Sequence, residues 1–367
     1  MKIAIDARMI NSSTGRYVER LLHYLERIDQ TNTYLVLIKS RDHDYWRPTN
    51  PHFTIIDADF KYYSFAEQAG FLKFLNNLHA DLVHFTLPQQ PVLYRGKHVT
   101  TIHDLTLLQT YNSDKNWFIY HAKQLVGRFV FWAVAQTSRT ILTPSQFTKT
   151  GVQKSLHVSP SKITVTYEAA DTLTAQPTPY SLPSKEYLLY VGQQSDYKNI
   201  RRLVLAHQEL LKTHPTLHLV LVGSKNKSLQ MNEAWATKHN YRQVVFTGFV
   251  SDSELAWLYA HTACYVFPSL MEGFGLPGLE AMRAGSPVAS SDATCLPEIY
   301  GDAAHYFNPT DVGDMVTKIG QVLTDSVLRT RLIQNGALRA AMYSWERMAE
   351  QTLAVYESAL ATQSSRK

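Results

Sequence analysis

The sequence predicts an α/β protein made of two doubly wound parallel sheets. Apolar strand-like runs alternate with amphipathic helical stretches, as where KIAIDA is followed by RYVERLLHYLERI. The chain has 367 residues, which is long for one domain. The order of strand, loop, helix and strand begins again after a proline-rich segment at residues 171–185. We therefore expect a first domain at 1–170, a linker at 171–185 and a second domain at 186–343.

The composition is that of a globular protein without a disulfide framework. Hydrophobic residues make up 45% of the chain and charged residues 18%. Cys264 and Cys295 have no metal-ligand spacing, so we expect two buried thiols in a reducing compartment. Asp6 and Arg8 interrupt what would be the apolar core of a signal peptide, and no apolar run reaches the length of a membrane span. A cytoplasmic location is expected.

The net charge of +5 arises in the first domain. Residues 1–170 contain 19 Lys and Arg against 13 Asp and Glu, whereas the remainder contains 17 against 18. These basic residues are scattered, which favours an ordinary solvated surface over one that meets anionic lipid, and peripheral membrane contact stays open as the alternative. Because no nucleic-acid-binding motif accompanies the charge, no nucleic acid partner is predicted.

The first domain begins with a strand, a loop containing Gly15 and an amphipathic helix. Gly15 thus lies where the backbone can approach a ligand closely. Further strands are predicted at 34–38, 53–56, 81–85 and 98–105, with helices at about 64–79 and at 116–139. Apolar residues surround most of the helix at 116–139, which favours a buried core helix over one that faces an acceptor or a membrane. His103 follows a strand, where α/β sheets collect ligand-binding groups.

The second domain contains the most informative stretch of the chain. An apolar strand at 264–268 leads into a loop with Glu272 and two glycines, and Pro277 then opens a short helix that Gly285 closes. Glycines let backbone N–H groups approach an anion at a helix start. Carboxylates suit sugar hydroxyls instead, because they accept hydrogen bonds and repel phosphate. This stretch predicts a nucleotide-sugar pocket.

Three further elements complete the second half of the chain. Lys198 lies at a loop-to-helix junction after the strand YLLYVG, where an ammonium and helix N–H groups can hold a diphosphate. The strand VVFTGF precedes a helix that Ser251 or Asp252 caps and that begins near Glu254. Ser344 caps a last amphipathic helix, which ends near residue 361.

The stretch EGFGLPGLE, residues 272–280, resembles the E-x7-E motif of retaining glycosyltransferases of family 4, in particular the mannosyltransferase-like branch. The segments DARMINSSTG, TIHDL and KN at 198–199 extend the resemblance, which covers nearly the whole chain. It implies the GT-B fold: two Rossmann-like domains that face each other across a cleft, with a helix at 344–361 that crosses back to the first domain.

The resemblance also implies site residues. The residues that it marks as catalytic are His103, Lys198 and Glu272. The donor-binding residues that it implies are Gly15, Lys198, Gly248, Phe249, Val250, Glu272, Gly273, Phe274, Gly275, Leu276 and Glu280. The family's Asn-Gly pair at the end of the first domain is replaced by Glu168-Ala169, so no role is transferred to these two residues.

The expected activity is retaining transfer of a sugar from a nucleoside diphosphate sugar, with GDP-mannose favoured, to an acceptor hydroxyl. No metal or cofactor is expected, and the acceptor would be a glycan or a lipid-linked glycan in surface polysaccharide synthesis. Asp57 and Asp59 have the spacing of a cation-binding pair, but without matching context they are interpreted as solvated carboxylates.

Two alternatives stay open. A non-catalytic partner subunit would explain why Gln193, Gln194 and Tyr197 stand where an arginine is expected near Lys198. A sugar-nucleotide 2-epimerase shares the GT-B fold. A glycosidase is disfavoured, because both glutamates of the motif lie on one side of the predicted cleft.

Overall fold

The computed structural model describes residues 1–12, 14–109, 117–171 and 175–361. It divides into two compact units. The first comprises residues 1–108 and 117–168 together with the C-terminal residues from Ser344, and the second comprises residues 169–343 together with Gln109. The chain therefore enters the second unit after Glu168, close to the proline-rich segment. Within the described ranges, no helix combines the length and apolar character needed to cross a bilayer.

A parallel sheet forms the centre of the first unit. Its strands are β1 (Lys2–Asp6), β2 (Thr33–Ile38), β3 (Phe53–Asp57), β4 (Leu82–Phe85), β5 (His98–Thr101), β6 (Thr140–Thr143) and β7 (Ile163–Val165). Over the described residues these seven strands lie in the order β3-β2-β1-β4-β5-β6-β7. Ile3 of β1 pairs in parallel with Tyr34 of β2 and Leu82 of β4. The strand order reverses between β1 and β4, and ligands of such sheets bind at the carboxyl ends beside that switch.

The second unit has a sheet of the same kind. Its strands are β8 (Tyr187–Val191), β9 (His218–Val222), β10 (Val244–Gly248), β11 (Cys264–Phe267), β12 (Val288–Ser291) and β13 (Ala304–Phe307). In the part of the chain that the structure describes, these six parallel strands lie in the order β10-β9-β8-β11-β12-β13. The switch falls between β8 and β11. Two Rossmann-like parallel sheets confirm the predicted fold class.

The helices connect these strands. They are α1 (Gly15–Ile28), α2 (Leu72–Asn77), α3 (Thr106–Gln109), α4 (Trp117–Thr137), α5 (Gln146–Leu156), α6 (Ile200–Leu210), α7 (Lys227–Lys238), α8 (Asp252–His261), α9 (Leu276–Arg283), α10 (Leu296–Tyr300), α11 (Val312–Thr324), α12 (Ser326–Ala341) and α13 (Trp345–Ala361). A π-helical turn at Glu67–Phe71 precedes α2, within the range predicted as helical. Helix α8 begins at Asp252, two residues before the predicted start, because Ser251 and Glu254 form a capping box.

The last helix, α13, belongs to the first unit. It packs against α1 and against β5 and β6. The hydroxyl of Tyr356 is buried and lies 2.6 Å from Nδ1 of His84 in β4. Arg139 donates a hydrogen bond of 3.2 Å to the carbonyl of Ala359. The end of the described chain is therefore part of the core of the first unit.

The interpretation of the 116–139 segment as a buried core helix is wrong for its described side chains. Phe131 and Ala135 of α4 pack in the core with residues of α5 and β6. On the opposite face, Leu125, Phe129 and Trp132 are 68%, 58% and 47% exposed. The segment is apolar on both faces, and the sequence could not show that only one of them would be covered.

Candidate active site

Lys198 and Glu272 form an ion pair at the carboxyl edge of the second sheet. Nζ of Lys198 lies 2.6 Å from Oε1 of Glu272, and the two side chains are only 14% and 11% exposed. They meet because β8 and β11 are neighbours, so the loops that follow these strands adjoin. Burial alone would lower the pKa of Lys198, but the charge and hydrogen bond of Glu272, together with Tyr190 and Tyr197, more than offset this, and the pKa is raised. The ammonium is therefore charged at neutral pH.

Asn199 fixes the loop that presents Lys198. Its backbone is left-handed, with φ of 62°, a conformation that asparagine tolerates better than most residues. Its side-chain amide donates to the carbonyls of Pro268 and Pro309, at 3.0 and 2.7 Å. The amide of Leu270 also donates to the carbonyl of Tyr197, at 2.8 Å. The loops of Lys198 and Glu272 are thus joined by main-chain and side-chain contacts.

Helix α9 begins beside this ion pair without a capping side chain. Its N-cap residue is Gly275, with φ of +94°, and Pro277 lies in the first turn. Helix starts leave N–H groups unpaired, and such groups bind anions. The hydroxyl of Tyr300 donates to the carbonyl of Gly275 at 2.6 Å, and a Cβ on Gly278 would lie 2.2 Å from that hydroxyl. The two glycines therefore let Tyr300 brace the loop from behind.

Glu280 lies further along α9 and is buried. Its Oε2 is 3.2 Å from the hydroxyl of Tyr259, which can donate to it. The side chain of Phe274, by contrast, packs edge-on against Tyr343 with ring centroids 5.5 Å apart. The predicted motif therefore divides in two: Glu272 pairs with Lys198, whereas Glu280 is held by α8.

Gly248 ends β10, the edge strand of the second sheet, and Phe249 and Val250 follow it. Gly248 has φ of +73°, and its carbonyl accepts a hydrogen bond from Gly223 at 3.2 Å. Val250 is buried, but the ring of Phe249 is 85% exposed. The structure thus places these residues along the same edge as Lys198 but two strands away, at roughly 10 Å for ordinary strand spacing.

In the first unit, His103 follows β5 and lies between two hydrogen-bond acceptors. Its Nδ1 is 3.0 Å from Oε1 of Glu168, and its Nε2 is 3.1 Å from the carbonyl of Thr86. Tyr17 of α1 packs edge-on against the imidazole, with ring centroids 4.7 Å apart. Both nitrogens can donate at once only from an imidazolium, and the Glu168 carboxylate compensates such a charge.

Glu168 is the residue that sequence reasoning missed. No role was assigned to it, because the family's residue type is absent at this position. A signal was nevertheless present, since Glu168 lies three residues after the end of β7, at the carboxyl edge where His103 also lies. A buried carboxylate of this kind requires a partner. Here the partner is 65 residues away in the sequence.

A chain of buried polar contacts continues from Tyr17 to the C-terminal helix. The hydroxyl of Tyr17 is 3.0 Å from Oγ1 of Thr101, which is 2.8 Å from Nε2 of His84. Nδ1 of His84 meets Tyr356 of α13. Burial, with a smaller contribution from the charge of His103, lowers the pKa of His84 to about 3, so this ring is neutral.

Gly15 is the first residue of α1, and Tyr17 lies in the first turn of the same helix. A Cβ on Gly15 would lie 1.8 Å from the carbonyl oxygen of Ile10, so only glycine fits. Its amide donates to the carbonyl of Ser12 at 2.9 Å. The absence of a side chain is thus explained by packing within the loop, and contact of the Gly15 backbone with a diphosphate stays a prediction.

Asp57 and Asp59 engage different partners. Asp57 lies 2.7 Å from Nε2 of His43, and Asp59 accepts from the amide of Ser40 at 3.0 Å. Across the described residues, no three His, Cys, Asp or Glu side chains gather in a way that could hold a metal ion.

Comparisons with known proteins agree with this arrangement. The model of Glycosyltransferase Family 4 matches residues 14–172, and that of Glycosyl transferases group 1 matches residues 177–339. The chain is 31% identical over 276 residues to O-antigen chain mannosyltransferase B of Escherichia coli. The aligned region covers 71% of this chain and 70% of that protein.

Solved structures share the fold. Sucrose-phosphate synthase of Thermosynechococcus elongatus matches with a TM-score of 0.78 and 19% identity, over 99% of this chain and 100% of that one. HepE of Anabaena, in complex with UDP and glucose, matches with a TM-score of 0.72 and 16% identity, over 97% and 99%. The chain therefore belongs to glycosyltransferase family 4, has the GT-B fold, and is a transferase similar to mannosyltransferases.

Proposed function

We propose that this protein is a metal-independent, retaining transferase that moves a sugar from a nucleoside diphosphate sugar to an acceptor hydroxyl. The observation that most supports the proposal is the buried pair of Lys198 and Glu272 beside the uncapped start of α9. The pair offers a cation and the helix offers amide donors, both suited to a diphosphate. Glu272 adds an acceptor for sugar hydroxyls.

The proposed chemistry is a single transfer at the anomeric carbon. The bond between that carbon and the phosphate oxygen breaks, and its electron pair leaves with the nucleoside diphosphate. Lys198 and the amides from Gly273 to Leu276 stabilise the charge that develops on the phosphate oxygens. The acceptor oxygen bonds to the same face of the sugar, and its proton passes to a leaving phosphate oxygen. No protein base is required for this route.

The donor that we propose is GDP-mannose, and the support is the similarity to O-antigen chain mannosyltransferase B. Phe249 is exposed at the edge of the second sheet, where an aromatic ring can stack on a planar base. Glu280 would accept hydrogen bonds from the ribose. In the first unit, we assign His103 and Glu168 to the transferred sugar or its acceptor, a glycan or lipid-linked glycan. The location that we propose is cytoplasmic, at the inner face of a membrane.

The experiment that tests this function combines a donor panel with product analysis. Purified protein is incubated with GDP-mannose, UDP-glucose or ADP-glucose and a glycan acceptor, and the anomeric configuration of the product is determined by NMR. We expect an α-linked product from the α-linked GDP-mannose donor. A product of inverted configuration would contradict the mechanism, and epimerised donor formed without acceptor would indicate a 2-epimerase. Donor binding without turnover of any donor would indicate a non-catalytic subunit.

Glu280→Ala is expected to weaken donor binding by at least about 100-fold while the protein stays folded. Two hydrogen bonds from ribose hydroxyls to a buried carboxylate would be lost, and bonds to charged groups contribute about 1.5–3 kcal/mol each. Calorimetric titration with GDP measures the affinity, and thermal unfolding without ligand checks the fold. Glu233→Ala, on the exposed face of α7, is the matched control and should bind as the wild type does. Unchanged GDP affinity in Glu280→Ala would rule out the ribose assignment.

A further inference from the structure

The exposed face of α4, with one neighbouring leucine, forms an apolar surface on the first unit. This α4 patch consists of Leu107, Leu125, Val126, Phe129 and Trp132, each between 46% and 68% exposed. The rings of Phe129 and Trp132 are neighbours, with centroids 6.2 Å apart. Leu107 adjoins the helix, since its carbonyl accepts from the side chain of Gln124 at 2.8 Å. Contiguous exposed apolar groups of this kind mark interaction sites.

Basic residues predominate in the part of the sequence that contains α4. Between Asp114 and Glu168 the sequence contains no Asp or Glu, but it contains seven basic residues: Lys115, Lys123, Arg128, Arg139, Lys149, Lys154 and Lys162. Arg128 is exposed on α4 beside Phe129. Lys162 donates from Nζ to the carbonyl of Gln136, one turn beyond Trp132, at 2.7 Å. Lys154 is exposed on α5. Arg128 and Lys162 therefore place positive charge on α4 itself and near its C-terminal end.

We propose that the α4 patch docks on the surface of an anionic phospholipid bilayer. Aromatic side chains such as Trp132 and Phe129 are favoured at the depth of the headgroups, where an apolar face can enter the acyl boundary. The basic residues would lie against anionic headgroups, and each contributes about 1 kcal/mol near such a surface. Apolar burial and electrostatic attraction then act on the same face of the protein.

Charge decides between this partner and a second copy of the chain. In a twofold dimer each patch meets the same patch of the other copy, so Arg128 and the neighbouring basic residues would face a second basic surface. Like charges brought together in this way oppose association. An anionic bilayer instead offers the opposite charge along the whole face. The proposal deepens the membrane-peripheral location given above and does not depend on the transferase chemistry.

Flotation of the full chain with vesicles tests the proposal. We expect binding to vesicles of phosphatidylglycerol and phosphatidylcholine, weak binding to phosphatidylcholine alone, and loss of binding as salt is raised. The double variant Phe129→Ser/Trp132→Ser should bind anionic vesicles at least about tenfold more weakly, because it removes the two rings that would enter the interface. Val327→Ser/Leu338→Ser is the matched control, since both residues are exposed aliphatic side chains on α12.

Two further measurements keep the outcome decisive. Arg128→Glu reverses a charge without removing apolar area and should also weaken binding to anionic vesicles. GDP affinity and the thermal midpoint should be unchanged in every variant, which separates loss of docking from loss of the fold or of the donor site. Equal binding to charged and neutral vesicles, or undiminished binding by the double serine variant, would overturn the proposal. A dimer that the double serine variant converts to a monomer would overturn it in favour of self-association.

Discussion

Lys198→Met is expected to lower kcat/KM for sugar transfer by about 100- to 1,000-fold. The ammonium is the cation that lies beside the start of α9, and removing one preorganised donor to developing charge in an active site costs about 3–4 kcal/mol. The raised pKa of Lys198, caused by the adjacent Glu272, means that the wild-type side chain supplies a full charge across the neutral range. A radiochemical transfer assay with saturating acceptor measures the change.

The single variant also disturbs the fold, so a second variant is needed. Without Lys198, the carboxylate of Glu272 is left buried and unpaired, and breaking a buried pair in this way costs about 3–5 kcal/mol of stability. The double variant Lys198→Met/Glu272→Gln removes both charges while keeping similar volumes. We expect its thermal midpoint to recover most of the loss, whereas its activity stays as low as that of Lys198→Met. Recovery of activity together with stability would show that the pair is structural.

An exposed ion pair provides the control. Lys212 and Glu209 lie 2.5 Å apart on the surface of the second unit, with side chains more than half exposed. Exposed pairs contribute little, about 0–1 kcal/mol. Lys212→Met/Glu209→Gln should therefore retain both the activity and the thermal midpoint of the wild type. A loss of activity in this control would point to a general effect of the chemical change.

The elements that sequence reasoning predicted are those specified by local pattern. Strands such as β2 and β8 are nearly continuous apolar runs, which parallel sheets covered on both faces require. The start of α9 was predicted to within one residue, because glycine and proline restrict the backbone locally. Local signals of this kind need no knowledge of the neighbouring strands.

The parts of the site that were not predicted depend on contacts between distant segments. Lys198 and Glu272 were assigned to different ligand groups, and their pairing follows from the adjacency of β8 and β11, which no local pattern encodes. The contact between His84 and Tyr356 joins residues 272 positions apart. The exposure of one face of α4 has the same kind of cause, because it depends on which other elements of the fold pack against this helix. Hydrophobic periodicity indicates that a face is apolar, but the fold decides whether it is buried.

His103→Ala is expected to lower kcat/KM by about 100-fold, and Glu168→Ala by a similar factor through its effect on His103. Loss of one preorganised hydrogen-bond donor at a reacting centre typically costs about 10²–10³-fold in rate. Glu168 would act as a positioning residue, since its carboxylate holds Nδ1 of the imidazole while the carbonyl of Thr86 holds Nε2. Without the carboxylate, the ring is free to turn and loses its compensating charge.

A double-mutant cycle separates positioning from simple damage. If Glu168 acts through His103, then His103→Ala/Glu168→Ala should be no less active than His103→Ala alone, because the interaction has already been removed. Additive losses would show that the two residues act independently and would contradict the assignment. The thermal midpoints of all three variants are measured in parallel, so that unfolding is not mistaken for loss of catalysis.

The first unit offers a matched control for this cycle as well. His43 and Asp57 form a second histidine–carboxylate pair at 2.7 Å, but both side chains are well exposed, at 40% and 60%. His43→Ala should leave kcat/KM unchanged, because solvent already screens the pair and its ring is held weakly.

Glu168→Gln then distinguishes the charge of this side chain from its geometry. An amide can still accept a hydrogen bond from His103 but cannot compensate an imidazolium, so activity near that of Glu168→Ala would show that the charge of Glu168 is the property that matters.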